Sequence, residues 1–223
     1  MNIAILGNGK MGKKVSKLAT RKGHNIVCIA NSNKPGTSID FKNTDVAIDF
    51  STPNTAFENI AHSINSGVPV VSGTTGWLKK LDEIKAICIS LEGTFLYSSN
   101  FSIGVNIFFE INKQVAKLMK NYDYESKIHE THHLQKIDKP SGTAITLSND
   151  LNKILKNKTT IKSSRIADTT GLHKITYSSK IDEIEIRHTA NNRDGFAIGA
   201  IMAAEWIKDK KGIYSMQDVL KIK

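Results

Sequence analysis

The stretch from Glu130 to Ala144 reads Glu-Thr-His-His-Leu-Gln-Lys-Ile-Asp-Lys-Pro-Ser-Gly-Thr-Ala. It holds two adjacent imidazoles, His132 and His133, an ammonium at Lys136, carboxylates, and a Ser141-Gly142-Thr143 turn. An imidazole titrates near neutral pH, so His132 can give or take a proton there. Pro140 closes a loop, and the Ser-Gly-Thr run opens a helix. The N-terminus of a helix offers free N–H groups and a positive dipole end to an anion. Lys136 and His133 add positive charge to the same region. Ser or Thr in this place is also an ordinary N-cap, so each hydroxyl has a structural reading beside the binding one. Paired histidines also ligate zinc. A third ligand would have to be Glu130, Asp138 or His129, and none stands at a familiar ligand spacing, so no metal is assigned.

Such groups need a scaffold, and the N-terminal half supplies its grammar. The apolar run 2–6 is followed by Gly7-Asn8-Gly9-Lys10-Met11-Gly12, a G-x-G-x-x-G. A helical pattern covers Met11 to Lys22, with Met11, Val15, Leu18 and Ala19 on one face. Gly23 stops it, and Asn25–Ala30 forms a second apolar run. The glycine motif therefore opens a βαβ unit, the setting in which it cradles a pyrophosphate. A dinucleotide-binding unit usually carries Asp or Glu at the end of its second strand, to hold the ribose hydroxyls. Here that neighbourhood is Asn31-Ser32-Asn33-Lys34. A 2′-phosphate would not be repelled, and Lys34 is either its partner or a solvated loop lysine. This favours NADPH, or acceptance of both NADPH and NADH.

Strand-like runs recur at 45–50, 68–71 and 94–97, with helices near 54–66 and 78–90. Alternation of this kind predicts a parallel sheet with right-handed crossovers. The polar or glycine clusters Gly7–Gly12, Ser51–Pro53, Gly73–Gly76 and Ser98–Phe101 fall at strand carboxyl ends, the edge where open α/β sheets bind ligands. A helix spans about 102–120. Beyond it the grammar changes to strands near 122–131, 162–167, 172–178 and 181–189, with a helix over 143–156. The expected architecture is α/β: a Rossmann-like parallel-sheet cofactor domain, residues 1–100 and 196–223, plus an α+β substrate and oligomerisation domain with a mixed sheet, residues 101–195. An apolar helix over 195–208 and a short closing helix capped by Ser215 return to the first domain.

Composition narrows the alternatives. Hydrophobic residues make up 39% of the 223, enough for a real core. No apolar run is long enough to span a bilayer, and the short apolar N-terminus lacks a basic leader region, so the chain reads as cytoplasmic. The net charge of +10 comes from scattered lysines. Aromatics do not interleave with them, so nucleic acid is not an expected partner. Cys28 and Cys88 form no CxxC pair and read as buried reduced thiols.

The Glu130–Ala144 stretch resembles the signature E-x-H-H-x-x-K-x-D-x-P-S-G-T-A of the 4-hydroxy-tetrahydrodipicolinate reductase (dihydrodipicolinate reductase) family. The likeness extends to the Gly7–Gly12 turn, Asp49-Phe50-Ser51, Gly73-Thr74-Thr75-Gly76, the run from Asn100 to Asn106, Arg187-His188 and the helix beginning Phe196-Ala197. It implies NAD(P)H-dependent reduction of 4-hydroxy-tetrahydrodipicolinate to tetrahydrodipicolinate, a step of lysine and diaminopimelate biosynthesis. By position in the signature, His132 would be the proton donor and Lys136 the second catalytic residue. His133, Ser141, Gly142 and Thr143 would bind the substrate carboxylates. Gly7, Gly9, Lys10, Met11 and Gly12 would hold the cofactor pyrophosphate. Gly73, Thr74, Thr75, Ser98, Ser99, Asn100 and Phe101 would line its nicotinamide half. The family is typically a homotetramer built through the second domain's sheet. The residues agree with this chemistry, since a dicarboxylate needs two anion sites and the reduced ring needs a proton source. Two departures stand out. The span Asn31–Asn43 is shorter than the family usually has, which leaves the adenosine contacts and the choice between NADH and NADPH open. Ser98-Ser99 stands where Ala-Pro is frequent. Another pyridine-nucleotide enzyme of amino-acid metabolism would share the glycine turn but would not require the histidine pair with Ser-Gly-Thr.

Overall fold

Short, wholly apolar runs separated by amphipathic helices can bury both faces only as a parallel sheet between helix layers. The computed structural model, which describes residues 1–222, has that arrangement in the first of two units, residues 1–102 with 196–223. Its elements are β1 (Asn2–Leu6), α1 (Lys10–Arg21), β2 (Asn25–Ala30), β3 (Val46–Asp49), α2 (Ala56–Asn65), β4 (Val70–Ser72), α3 (Leu81–Ser90) and β5 (Thr94–Tyr97). The second unit, residues 103–195, holds α4 (Ile103–Met119), β6 (Glu125–His132), α5 (Gly142–Ile154), β7 (Thr160–Arg165), β8 (Gly171–Ser178) and β9 (Glu183–Ala190). The chain then returns to the first unit through α6 (Asp194–Ile207), β10 (Gly212–Tyr214) and α7 (Met216–Leu220).

The first sheet has the order β10-β5-β4-β3-β1-β2, with every pair parallel. Successive strand residues feed opposite layers, as the two-residue repeat requires. Ile3, Ile5, Ile48 and Leu96 meet α1, α6 and α7 on one face. Ala4, Leu6, Ala47, Val70 and Phe95 meet α2 and α3 on the other. Helix α6 is apolar on nearly every side, since it is buried by Ala197, Ala200, Ile201 and Ala204 among others. It lies so close to Phe101 that a Cβ at position 199 would stand 1.8 Å from that residue's carbonyl oxygen, so only glycine fits. Asp218 accepts hydrogen bonds from both Ser215 N and Ser215 Oγ at 2.7 Å, fixing the start of α7. The sequence pattern does not predict strand β10. Three residues show no alternation, and its strand identity comes from pairing with β5.

The shortened segment after β2 contains no further strand or long helix. Residues Gly36–Ser38 make a single 3₁₀ turn, after which Ile39 and Phe41 plug the second apolar layer. The Phe41 and His62 rings lie 5.2 Å apart, and His62 Nε2 bonds the Ile39 carbonyl at 2.9 Å. Two buried side chains thus close the second apolar layer beside β2.

The second sheet has the order β7-β6-β8-β9. Its β6–β7 pair is parallel, joined through α5, and the other two pairs are antiparallel, so the sheet is mixed as expected. One face packs Ile128, Ile175 and Tyr177 against Val105, Phe108, Leu147 and Leu151 of α4 and α5. The alternate positions are polar. They carry the His129 Nε2 to Ser164 Oγ bond (2.9 Å) and the Lys174–Glu185 ion pair (2.8 Å).

Candidate active site

The core-facing stripe of β6 runs Ser126, Ile128, Glu130, His132, so it turns from apolar to ionisable towards the strand's carboxyl end. The neighbouring strands do the same in register. Ile128 lies opposite Ile161 and Ile175, Glu130 opposite Ser163 and His173, and His132 opposite Arg165. One end of an apolar core is thereby replaced by Glu130, His132, Arg165 and His173.

Their contacts are specific. Glu130 is fully buried. Its Oε2 is hydrogen-bonded to His132 Nδ1, and its Oε1 accepts from Arg165 Nη1 at 2.9 Å. Burial opposes the Glu130 carboxylate, but hydrogen bonds from Ser163, Arg165 and His132 outweigh it and hold its pKa below the ordinary value. A charged carboxylate on Nδ1 makes that nitrogen the protonated one, leaving Nε2 as the exchanging atom. Gly171 leaves room beside it: a Cβ there would stand 3.1 Å from Nε2. Burial lowers the His132 pKa, Glu130 pulls it back up, and Lys136 and Arg165 lower it further. The ligating atoms of Glu130, His132 and His173 lie within 4.8 Å of one another. Both Glu130 oxygens are already engaged, one by a guanidinium, so the group reads as a proton-handling pair with its counter-ion.

His173 is edge-on to His132, with ring centroids 5.0 Å apart, and its Nε2 meets Ser141 Oγ at 3.1 Å. Burial and the neighbouring His132 push its pKa down to about 3. The unfolded chain binds a proton at this histidine below its ordinary pKa of 6.5, and the folded protein does not. The stability it allows is therefore full above about pH 6.5 and is lost as pH falls towards 3. Urea titrations at pH 7.5 and 5 should show the drop, and His173→Gln should make it smaller.

Ser141 has the structural role of a cap. It is buried and caps α5, its Oγ accepting from Ala144 N at 3.2 Å. The hydroxyl is thus engaged twice within the fold, and the open part of the turn is Gly142, where a Cβ would meet nothing within 4 Å. Asp138 occupies this end. It pairs with Lys136 Nζ at 2.8 Å and accepts a hydrogen bond from the Gly142 amide, so its pKa is low although burial opposes it. An internal carboxylate thus bridges the ammonium and the helix start. Arg193 Nη2 donates to His133 Nε2 at 3.1 Å. Arginine cannot accept, so the neutral His133 ring carries its proton on Nδ1, a buried atom with no partner among the described residues.

In the first unit, the turn between β1 and α1 borders a cavity of about 540 Å³. Gly7, Gly9, Asn31, Ser32, Thr37 and Ser51 are on its wall. Gly7 has φ +119°, and a Cβ there would lie 2.2 Å from the Phe50 carbonyl oxygen. A Cβ on Gly12 would lie 1.9 Å from the Gly7 carbonyl oxygen, so α1 starts tight against the turn. Gly9 has nothing within 4 Å on its Cβ side, no side chain caps α1, and its first turn has no acid. Open space beside uncapped amides suits a pyrophosphate. Thr74 accepts from Ser51 N (2.8 Å) and donates to the buried Asp49 (2.7 Å), which also holds Ser51 and Ser72. The Gly73–Thr75 loop is thereby fixed on the same sheet edge. Ser98 N bonds the Ser72 carbonyl at 3.2 Å, which continues the β4–β5 ladder beyond Tyr97 and places Ser98–Phe101 at the next strand end. The Phe101 side chain is 2% exposed and belongs to the core, so it can meet a ligand only through its main chain.

Comparison with known proteins fits both halves of this geometry. Residues 1–101 match the family model "Dihydrodipicolinate reductase, N-terminus", and residues 104–220 match "Dihydrodipicolinate reductase, C-terminus". The chain belongs to the dihydrodipicolinate reductase family. It is 45% identical to the 4-hydroxy-tetrahydrodipicolinate reductase of Christiangramia forsetii, an alignment that covers 99% of this chain and 98% of that one. It is 36% identical to the enzyme of the same name from Rickettsia rickettsii, over the full length of both. A solved structure titled as dipicolinate-bound dihydrodipicolinate reductase, from Paenisporosarcina sp. TG-14, shares the fold with TM-score 0.81 at 20% identity, covering 98% of each chain.

Family membership makes this an NAD(P)H-dependent reductase with a Rossmann-like nucleotide-binding domain. No helix among the described residues is long and apolar enough to cross a membrane. The sequence reading of the site passes over Arg165, His173 and Gly171, and treats Glu130 only as a possible metal ligand. Glu130 and His132 stand two apart on a strand, a same-face spacing that was available as a signal. Arg165 and His173 reach the site only through strand register, which no local pattern encodes.

Proposed function

We propose that this chain reduces 4-hydroxy-tetrahydrodipicolinate to tetrahydrodipicolinate in the diaminopimelate and lysine pathway, with His132 as proton donor and Lys136 as the residue that holds a substrate carboxylate and stabilises charge. The observation that carries these roles is the buried Glu130–His132 pair, beside a Lys136 ammonium and an α5 start that already bind a carboxylate. A substrate carboxylate would replace that of Asp138 on Lys136 and the Gly142 amide. His133 Nδ1 supplies a further donor for a dianionic ligand, and Thr143 follows Gly142 in the first turn of α5. Ser141 caps this turn and, with it, would bind a substrate carboxylate. Once water has left the 4-hydroxy compound, bound NAD(P)H supplies a hydride to the ring of the unsaturated imine. The ring must then gain a proton, and His132 Nε2 delivers it.

Gly7, Gly9 and the amides of Lys10, Met11 and Gly12 would hold the pyrophosphate. Gly73–Thr75 and the main chain of Ser98–Phe101 would flank the nicotinamide half. At the adenosine end, Asn31, Ser32 and Thr37 bring uncharged side chains to the cavity wall, and Glu58 of α2 also lines the cavity. It has no carboxylate at the end of β2 to repel a 2′-phosphate, and Lys34 is exposed outside the wall. Neither a carboxylate nor a cation at the end of β2 selects between ribose hydroxyls and a 2′-phosphate, which supports use of both NADH and NADPH. We expect the two kcat/KM values to lie within about tenfold of each other, about 1.4 kcal/mol. The test is NADH and NADPH oxidation with enzymatically generated substrate. No oxidation of either would defeat the assignment, and a ratio of several hundred would defeat the dual preference. Gly12→Ala should weaken either cofactor about 10–100-fold by calorimetry, the cost of forcing a methyl into a filled space.

Family resemblance supports assembly as a homotetramer through the second sheet, and the family's role in amino-acid synthesis supports a cytoplasmic location. Sedimentation equilibrium tests the first.

A further inference from the structure

Arg165 makes more contacts than a counter-ion needs. Its Nη1 bonds Glu130 Oε1 at 2.9 Å and the Ser164 carbonyl at 2.7 Å. Its Nε bonds the Lys136 carbonyl at 3.2 Å, and its Nη2 the Asp138 carbonyl at 2.5 Å. One planar guanidinium therefore grips the carboxylate that holds His132 and, on its other edge, the backbone that carries Lys136. Arginine's rigid fork of donors can do this, whereas a lysine's single ammonium cannot span both edges.

We infer that Glu130 and Arg165 are a positioning bracket, in which Glu130 fixes the tautomer and orientation of His132 while Arg165 sets the place of Lys136 relative to it. The inference rests on the roles proposed above for His132 and Lys136. Neither bracket residue need touch substrate. Glu130 keeps the His132 proton on Nδ1, so that Nε2 faces the Gly171 side of the ring and takes up and delivers the exchanging proton. As His132 becomes an imidazolium, Glu130 stabilises the added charge. The charged or titratable groups facing His132 are Glu130 on its own strand, Arg165 on β7, His173 on β8 and Lys136 in the following loop. Of these, Glu130 alone is an anion, so its removal has a definite sign: protonated His132 becomes harder to form.

The test is Glu130→Gln, read by kinetics and by ¹⁵N NMR of the His132 imidazole. Wild type should show the Nδ1–H tautomer at pH 8. E130Q should lose about 100-fold in kcat, with KM within about threefold. Its His132 titration, and the matching limb of its pH–rate profile, should both move to lower pH. Arg165→Lys should lower kcat as well, and should raise substrate KM, because the Lys136 loop loses two of its anchors. A wild-type Nε2–H tautomer would overturn the bracket, as would an E130Q enzyme whose His132 titrates as in wild type. If E130Q does not fold, the wild-type tautomer still decides. Turnover surviving in His132→Gln would strike the donor assignment alone, because the NMR measurement reads the Glu130–His132 pair without reference to turnover.

Discussion

His132→Gln is expected to lower kcat about 10²–10⁴-fold, the usual contribution of a positioned general acid. Glutamine keeps polarity and approximate size but has no exchangeable acid near neutral pH. The binding groups His133, Gly142 and Thr143 are untouched, so substrate KM should stay close to wild type. The wild-type pH profile carries the same claim. A proton donor is active below its pKa and is lost as pH rises through it. Burial depresses the His132 pKa, so in kcat/KM, which reports the free enzyme, the fall should be centred below the ordinary histidine value. The substituted enzyme should lack that limb. Steady-state rates from pH 5 to 9 check both points, and an unchanged limb in the variant would assign the proton to another group.

Lys136→Ala should reduce kcat/KM by about 100-fold, the loss of one charge-assisted hydrogen bond of about 3 kcal/mol. The effect should fall on both KM and kcat if the ammonium holds a carboxylate and also stabilises charge during reduction. A second consequence has the opposite sign to that of Glu130→Gln. Lys136 lowers the His132 pKa, so removing its charge should move the His132 limb to higher pH. The same steady-state series, run on this variant, reads both the loss and the direction of the limb.

The parallel sheet was legible because its signals are local. At Gly7–Gly12 an apolar strand gives way within a few residues to helical periodicity, and the structure shows why glycine is needed there: Gly7 has φ +119°, and a Cβ on Gly12 would stand 1.9 Å from the Gly7 carbonyl oxygen. The same is true of α5, whose start is written in Pro140-Ser141-Gly142. What Ser141 does there was only partly legible, since a cap and a ligand contact look alike in sequence; the bonds to Ala144 and His173 establish the cap. β10 escaped because three residues carry no periodicity. Arg165 and His173 escaped because they join Glu130 and His132 through the register of three strands. The missing ribose carboxylate was plain at Asn31–Lys34, but the cavity beside it depends on where the 3₁₀ turn at Gly36–Ser38 folds.

The most direct test of the account is product analysis with enzymatically generated 4-hydroxy-tetrahydrodipicolinate and NADPH or NADH carrying deuterium at the transferred position. Tetrahydrodipicolinate with a single added deuterium is expected, formed in step with cofactor oxidation by wild type and at a rate reduced about 10²–10⁴-fold by His132→Gln. Oxidation of the cofactor without deuterium in this product, or no oxidation at all by the folded wild-type protein, would contradict it.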